Sequence, residues 1–71
     1  MSSTRRADVQ FTVKEFESGR PWIAIEQLRG DHVEALRGTL GFDLKPGTTL
    51  DEAKVIALYL RQNVVSVSET K

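Results

Sequence analysis

The chain has 71 residues and no cysteine, and its ten basic and ten acidic side chains give it a formal net charge of zero. This length predicts one domain with a small core, and without cysteine that domain can gain no stability from a disulfide or a cysteine-based zinc site. The balanced charge leaves no long-range field to draw the chain to nucleic acid or an anionic membrane, and no apolar run approaches the roughly 18 residues of a membrane-spanning helix. Additional stability would have to come from association with another chain.

The N-terminal segment differs in composition from the rest of the chain. Residues 1–7 (MSSTRRA) are small, polar and basic, which predicts a disordered lead-in before a single domain over residues 8–69. The lead-in lacks the apolar core of a secretory signal, so we expect a cytoplasmic protein of the bacterial type. Apolar and polar residues then alternate with the period of a half-buried strand, which predicts the first strand over residues 8–16.

A hairpin is predicted next. Residues 17–20 (ESGR) are typical of a turn, and residues 21–28 are rich enough in β-branched and aromatic side chains to form the returning strand. If residues 18–19 form a two-residue loop, Val13 faces Ala24. In that register one side of the hairpin carries Val9, Phe11, Val13, Trp22, Ala24 and Leu28, and the other carries Phe16, Ile23 and Ile25.

A short helical turn and a third strand are predicted in the middle of the chain. Residues 30–38 have Asp31 in an N-cap position and glycines at both ends, with room for barely two helical turns. Residues 39–44 alternate Leu40, Phe42 and Leu44 towards the interior, which predicts the third strand.

The last third of the chain predicts one helix and a closing strand. Thr49 is a good N-cap, and Glu52 completes a capping box three residues later, so we expect a helix over residues 50–63. Residues 64–68 alternate valine and serine and predict the fourth strand. On a helical wheel the side expected to cover the sheet carries Leu50, Ala53, Ile56, Ala57 and Leu60.

These elements predict a small α+β domain in the order β-β-β-α-β, with a short helical turn between strands two and three. One main helix would cover one face of an antiparallel or mixed four-stranded sheet. The third and fourth strands would be either parallel neighbours joined by a right-handed crossover or separated by the first strand.

The sequence offers little for catalysis. A metal site would have to combine the only histidine, His32, with carboxylates such as Asp31 and Glu34, which is a poor ligand set for zinc. His32 is also the only candidate base for a serine nucleophile, and no orienting motif surrounds it. The glycines form no phosphate-binding fingerprint, and the GxxG at residues 38–41 begins a strand instead of joining two helices. We therefore predict a protein without enzyme activity, metal or cofactor.

The surplus of apolar surface predicts a protein interface. Val55, Leu58 and Tyr59 lie outside the core side of the predicted helix, and one helix cannot bury both sides against one sheet. In a domain this small, such surplus surface is typical of a homodimer or of a site for another protein. The candidate interface comprises Phe16, Ile23, Ile25, Val55, Leu58 and Tyr59. Alternatively, the loop at residues 29–38 and the lead-in could cover one of these patches.

Nucleic-acid binding is the alternative function. Phe16 and Tyr59 could be exposed rings on which bases stack. The basic side chains that could accompany them are Lys14, Arg20, Lys54 and Arg61.

Three segments carry a resemblance to known proteins. Residues 20–26 (RPWIAIE), residues 40–44 (LGFDL) and the Gly-Thr-Thr before Glu52 and Ala53 look like short bacterial proteins of unknown function. More loosely, the chain is similar to the partial RNase H-like domain of HicB-type antitoxins, matched at Gly47, Thr49, Glu52 and Ala53. This resemblance implies strands followed by a capped helix and a closing strand, and it adds an antitoxin-like regulator to the alternatives.

Overall fold

The computed structural model describes residues 3–70 as four strands and one main helix. The strands form one antiparallel sheet in the order β3-β2-β1-β4, and α1 packs against β1 and β2. The elements are β1 (Thr4–Glu15), β2 (Pro21–Gly30), a 3₁₀ turn (Glu34–Leu36), β3 (Leu40–Asp43), α1 (Leu50–Asn63) and β4 (Ser66–Thr70). The predicted α+β class, the element order and the helical turn are confirmed. The third and fourth strands are not neighbours, since both β1 and β2 separate them.

The N-terminal segment belongs to the sheet. β1 begins at Thr4, and its first five residues pair with β4, with Ala7 opposite Val67. The side chain of Ala7 is fully buried. The prediction of a disordered lead-in is therefore wrong for residues 4–7, because β4 supplies the hydrogen-bonding partner that the segment lacks on its own. Residues 1–2 lie outside the described part of the chain.

The β1–β2 hairpin has a longer connection than predicted. The Phe16 N–H donates to the Arg20 carbonyl oxygen at 2.9 Å, so Phe16 and Arg20 close a loop of three residues instead of the predicted two. Val13 consequently lies opposite Ile23 instead of Ala24. The predicted register is wrong by one residue.

This slip exchanges the two faces of β2, because successive side chains of a strand point to opposite faces. Ile23 and Ile25 lie on the face covered by α1, and Trp22 and Ala24 lie on the opposite face. Leu28 is exposed in a β-bulge, since the pairing register shifts where β2 passes it. The core-facing side of β1 is as predicted, and its side chains form the core with α1 and β2 through Val9, Phe11, Ile23 and Ala57.

The helix has the predicted bounds and the predicted cap. The Glu52 N–H donates to Thr49 Oγ1 at 3.1 Å, and the Thr49 N–H donates to Glu52 Oε1 at 3.0 Å. This capping box satisfies two N–H groups that have no partner within the helix. α1 thus begins at Leu50 and ends at Asn63, where the chain turns into β4.

The loop after β2 closes the core beside α1. Gly30 has a φ of +113°, and a Cβ there would come within 2.7 Å of the Arg6 carbonyl oxygen. Asp31 extends the pairing with β1, donating its N–H to Arg6 O at 2.8 Å and accepting the Arg6 N–H at Oδ2 at 2.9 Å. Val33 is then buried, and Leu36 packs against the core. The loop therefore covers part of the core and leaves the outward side of α1 uncovered.

Candidate functional site

Three apolar side chains of α1 face away from the sheet. Val55 is 67% exposed, Leu58 49% and Tyr59 65%. We call these three residues the outer helix surface. The sequence predicted that they would lie outside the core, and the structure places them there.

The inner side of α1 is built from alanine. Ala53 and Ala57 are its fully buried side chains. Alanine lets the helix backbone approach the sheet closely, so the larger residues beside it remain at the margins of the contact. Leu50 and Ile56, both predicted to cover the sheet, are accordingly exposed by more than a third of their surface. Leu60 is the larger side chain of α1 that packs against the core, while Val55, Leu58 and Tyr59 remain exposed.

The other predicted interface residues lie elsewhere. Ile23 has no exposed surface, and Ile25 packs against the core, so neither is available to a partner. Their assignment to an interface followed from the wrong hairpin register and is corrected here. Phe16 is exposed, but its ring stacks on Trp22 with a centroid distance of 5.6 Å, on the face of the sheet opposite α1. The structure brings only the three α1 residues together.

Two exposed apolar residues on β3 were predicted to lie in the core. Leu40 and Phe42 lie opposite Ile25 and Ile23 and therefore share the face that α1 covers. Phe42 is nevertheless 46% exposed, although its ring stacks on Phe11 at a centroid distance of 6.4 Å. A helix is about 10–12 Å wide and strands lie roughly 4.8 Å apart, so one helix covers about two strands. The sequence predicts four strands and only one main helix, and this ratio would have predicted an exposed apolar edge.

The four candidate nucleic-acid contacts do not form one patch. Lys14 lies on the face opposite α1, where its Nζ is 3.9 Å from Glu26 Oε2. Arg20 is in the hairpin connection and donates to the Leu44 carbonyl oxygen at 3.5 Å. Lys54 and Arg61 are exposed on α1. Basic side chains are therefore distributed over both faces of the sheet.

The face opposite α1 carries a polar cluster around Glu26. Its carboxylate accepts hydrogen bonds from the Thr12 hydroxyl and from Gln10 Nε2, and Lys14 lies beside it. These cross-strand contacts give the half-buried carboxylate donors from the neighbouring strand. Glu26 and Lys14 thus have partners within the chain on this face.

Groups that could support catalysis are dispersed. His32 Nε2 lies 3.5 Å from Glu34 Oε2, and both side chains are largely exposed. Among residues 3–70 no group of three or more His, Cys, Asp or Glu side chains could hold a metal ion. Over the same residues, no helix combines the length and the apolar content required to cross a membrane.

Comparisons with protein-family models, with curated proteins and with solved structures give no match.

Proposed function

We propose that this chain is a non-enzymatic, cytoplasmic protein-binding module that forms a homodimer through the outer helix surface. One observation carries the proposal. The fully buried side chains of α1 are alanines, whereas Val55, Leu58 and Tyr59 are exposed. Apolar side chains concentrated on the solvent side of a helix are typical of a surface that a protein partner covers.

A second copy of the chain is a suitable partner. The formal net charge of zero removes the electrostatic repulsion that would oppose association of identical chains. A two-fold contact between two α1 helices would place each outer helix surface against the same surface of the other copy. Such a contact would also supplement the small core of a 71-residue chain.

Sedimentation velocity over a dilution series tests this proposal. The substitutions Leu58→Gln and Tyr59→Gln together remove the apolar groups while introducing a residue with a high helix propensity. We expect the double variant to keep the circular dichroism spectrum of the parent and to raise the dissociation constant at least tenfold. The matched control is Lys54→Gln with Arg61→Gln, which introduces the same residue twice on the same helix and should leave association unchanged.

A parent chain that sediments as a monomer at high micromolar concentration would refute the homodimer. Equal dissociation constants for the parent and the Leu58/Tyr59 variant would refute the outer helix surface as the contact.

Nucleic-acid binding, alone or as part of an antitoxin-like regulator, is the second candidate function. The observation that favours it is the position of Lys54 and Arg61, which are seven residues and thus about two turns apart on one side of α1. Neither forms an ion pair within the described residues. In titrations with a labelled duplex and a single strand, binding should weaken as salt increases. Lys54→Gln with Arg61→Gln should abolish it, and Leu58→Gln with Tyr59→Gln should not.

A further inference from the structure

We infer that β3 forms a second two-fold contact between copies of this chain, in which two β3 strands pair antiparallel about Phe42 and join two sheets into one. This contact is separate from the outer helix surface and does not depend on it. It would use the backbone of an edge strand together with the exposed apolar side chains of that strand.

The backbone of β3 has free hydrogen-bonding groups on its outer side. In an antiparallel sheet, alternate residues of a strand direct their N–H and C=O groups to opposite neighbours. Because the Phe16 N–H bonds to the Arg20 carbonyl oxygen, the even-numbered residues of β2 direct their N–H and C=O groups to β1. The odd-numbered residues Ile23 and Ile25 direct theirs to β3, where they face Phe42 and Leu40. Gly41 and Asp43 consequently direct their backbone groups outwards, where residues 3–70 supply no further strand.

The apolar residues of β3 and of the next position, Leu44, are placed symmetrically about Phe42. Antiparallel pairing about Phe42 sets Leu40 opposite Leu44 of the second copy, and Phe42 opposite its own equivalent. All these side chains lie on the α1 side, because Leu40 and Phe42 share a face with Ile25 and Ile23, and Leu44 packs against the core. Every apolar residue of one edge thus meets an apolar residue of the other, and aromatic pairs stabilise such sheets.

Charge selects the same register. Pairing about Phe42 places Asp43 opposite the uncharged Gly41 of the second copy. Pairing about Asp43 would place two carboxylates directly opposite each other, which is destabilising. Pairing about Gly41 would set Leu44 against Gly38, leaving the leucine without an apolar partner. Of these three registers, only the one about Phe42 both avoids facing carboxylates and gives every leucine an apolar partner.

The edge also lacks common features that prevent strand pairing. Edge strands are typically protected by lysine, proline or a covering element. β3 contains neither lysine nor proline, and within the described residues α1 covers β1 and β2 instead. The opposite edge, β4, carries mainly serine, threonine and glutamate and offers no comparable apolar symmetry.

Crosslinking through a single introduced cysteine tests the contact directly. The chain has no cysteine of its own, so Phe42→Cys can form a disulfide only between copies. Facing residues that do not share hydrogen bonds have Cα atoms about 4.5 Å apart, within the range that a disulfide spans. We expect Phe42→Cys to form a covalent dimer under mild oxidation at least tenfold faster than Ser18→Cys, which is also exposed and lies in the hairpin connection.

A mixture of Leu40→Cys and Leu44→Cys chains tests the register while keeping Phe42. We expect crosslinks between the two kinds of chain to exceed those within either kind. Crosslinking of Phe42→Cys at the rate of Ser18→Cys, together with no preference in the mixture, would overturn the inference.

Sedimentation separates this contact from the proposed function. Because the parent has both contacts, its α1 dimers should associate further through β3 as the concentration rises. Leu58→Gln with Tyr59→Gln should leave only a dimer joined by β3, Phe42→Lys should leave only a dimer joined by α1, and the combined variant should be a monomer. If the Leu58/Tyr59 variant is monomeric and Phe42→Cys does not crosslink in it, the β3 contact is refuted and the proposed homodimer stands. If the Leu58/Tyr59 variant associates as the parent does and Phe42→Cys crosslinks, the α1 contact is refuted and the β3 contact stands.

Discussion

The ring of Trp22 lies against the backbone of Gly41, and no side chain would fit between them. A Cβ at position 41 would come within 2.6 Å of Trp22 Cε3 and Cζ3 and within 2.5 Å of the Ile23 carbonyl oxygen. Neither the indole ring nor the strand backbone can move away cheaply. Gly41 therefore allows β3 to pair with β2 while the only tryptophan of the chain packs across it.

Gly41→Ala should lower the free energy of unfolding by about 1–3 kcal/mol, the usual cost of overpacking. Gly38→Ala is the matched control, because a Cβ at position 38 would meet no atom within 4 Å. That control should be neutral or stabilising by up to about 1 kcal/mol, since alanine restricts the unfolded chain. Urea titration followed by Trp22 fluorescence measures both. Equal midpoints for the two variants would contradict the close packing of Trp22 on Gly41.

The ordered N-terminal part of β1 leads to a second prediction. Ala7 is fully buried between β2 and β4, so Ala7→Asp would place a charge in a buried position. We expect the free energy of unfolding to fall by roughly 2 kcal/mol or more. Ser3→Asp, which adds the same charge at an exposed position before β1, should change it by less than about 0.5 kcal/mol. Equal thermal melting midpoints for the two variants would show that residues 4–7 do not belong to the folded sheet.

Local signals were sufficient to predict the elements. The capping box of Thr49 and Glu52 predicted the start of α1. Alternating apolar residues predicted β1, β3 and β4, and β-branched and aromatic content predicted β2. These features depend on residues that are close together in the sequence, so they can be predicted without knowledge of the tertiary structure.

Relations between elements could not be predicted in this way. The hairpin register depends on whether Phe16 and Arg20 share a hydrogen bond, and the sequence ESGR at residues 17–20 permits several connection lengths. A slip of one residue exchanges the faces of a strand. The wrong register therefore placed Ile23 and Ile25 in the candidate interface, although both lie on the core side of β2. The position of β4 in the sheet likewise depends on its long-range pairing with residues 4–8, which no local pattern encodes.

The candidate site was predicted only in part. The outer helix surface could be predicted because helical periodicity alone separates Val55, Leu58 and Tyr59 from the alanine side. The width of one helix predicts that some strand edge is exposed, but that Leu40 and Phe42 form this edge depends on the strand order, which is a property of the whole sheet.

The alanine side of α1 predicts opposite responses to two substitutions of the same size. Ala57→Val adds two methyl groups at a position with no free space and should cost about 1–3 kcal/mol. Val55→Ala removes two methyl groups from a largely exposed position and should be neutral or stabilising, because alanine has the higher helix propensity. Both are measured by thermal unfolding at protein concentrations too low for association. A larger loss for Val55→Ala than for Ala57→Val would mean that the helix packs on the sheet through its other side.

The capping box predicts a pH dependence of stability. The hydrogen bond from the Thr49 N–H, followed by the side-chain contact with Thr49, lowers the pKa of Glu52 below its ordinary value of 4.5. A carboxyl with a lowered pKa in the folded state stabilises that state above its ordinary pKa, and the stabilisation is lost as the pH falls through the lowered value. Glu52→Gln keeps an oxygen that can accept the Thr49 N–H but cannot titrate. The difference in melting temperature between the parent and Glu52→Gln should therefore be constant near neutral pH and should decrease as the pH falls below about 4.5, the ordinary pKa. Parallel pH profiles for the two proteins would show that the Glu52 carboxylate does not contribute to the cap.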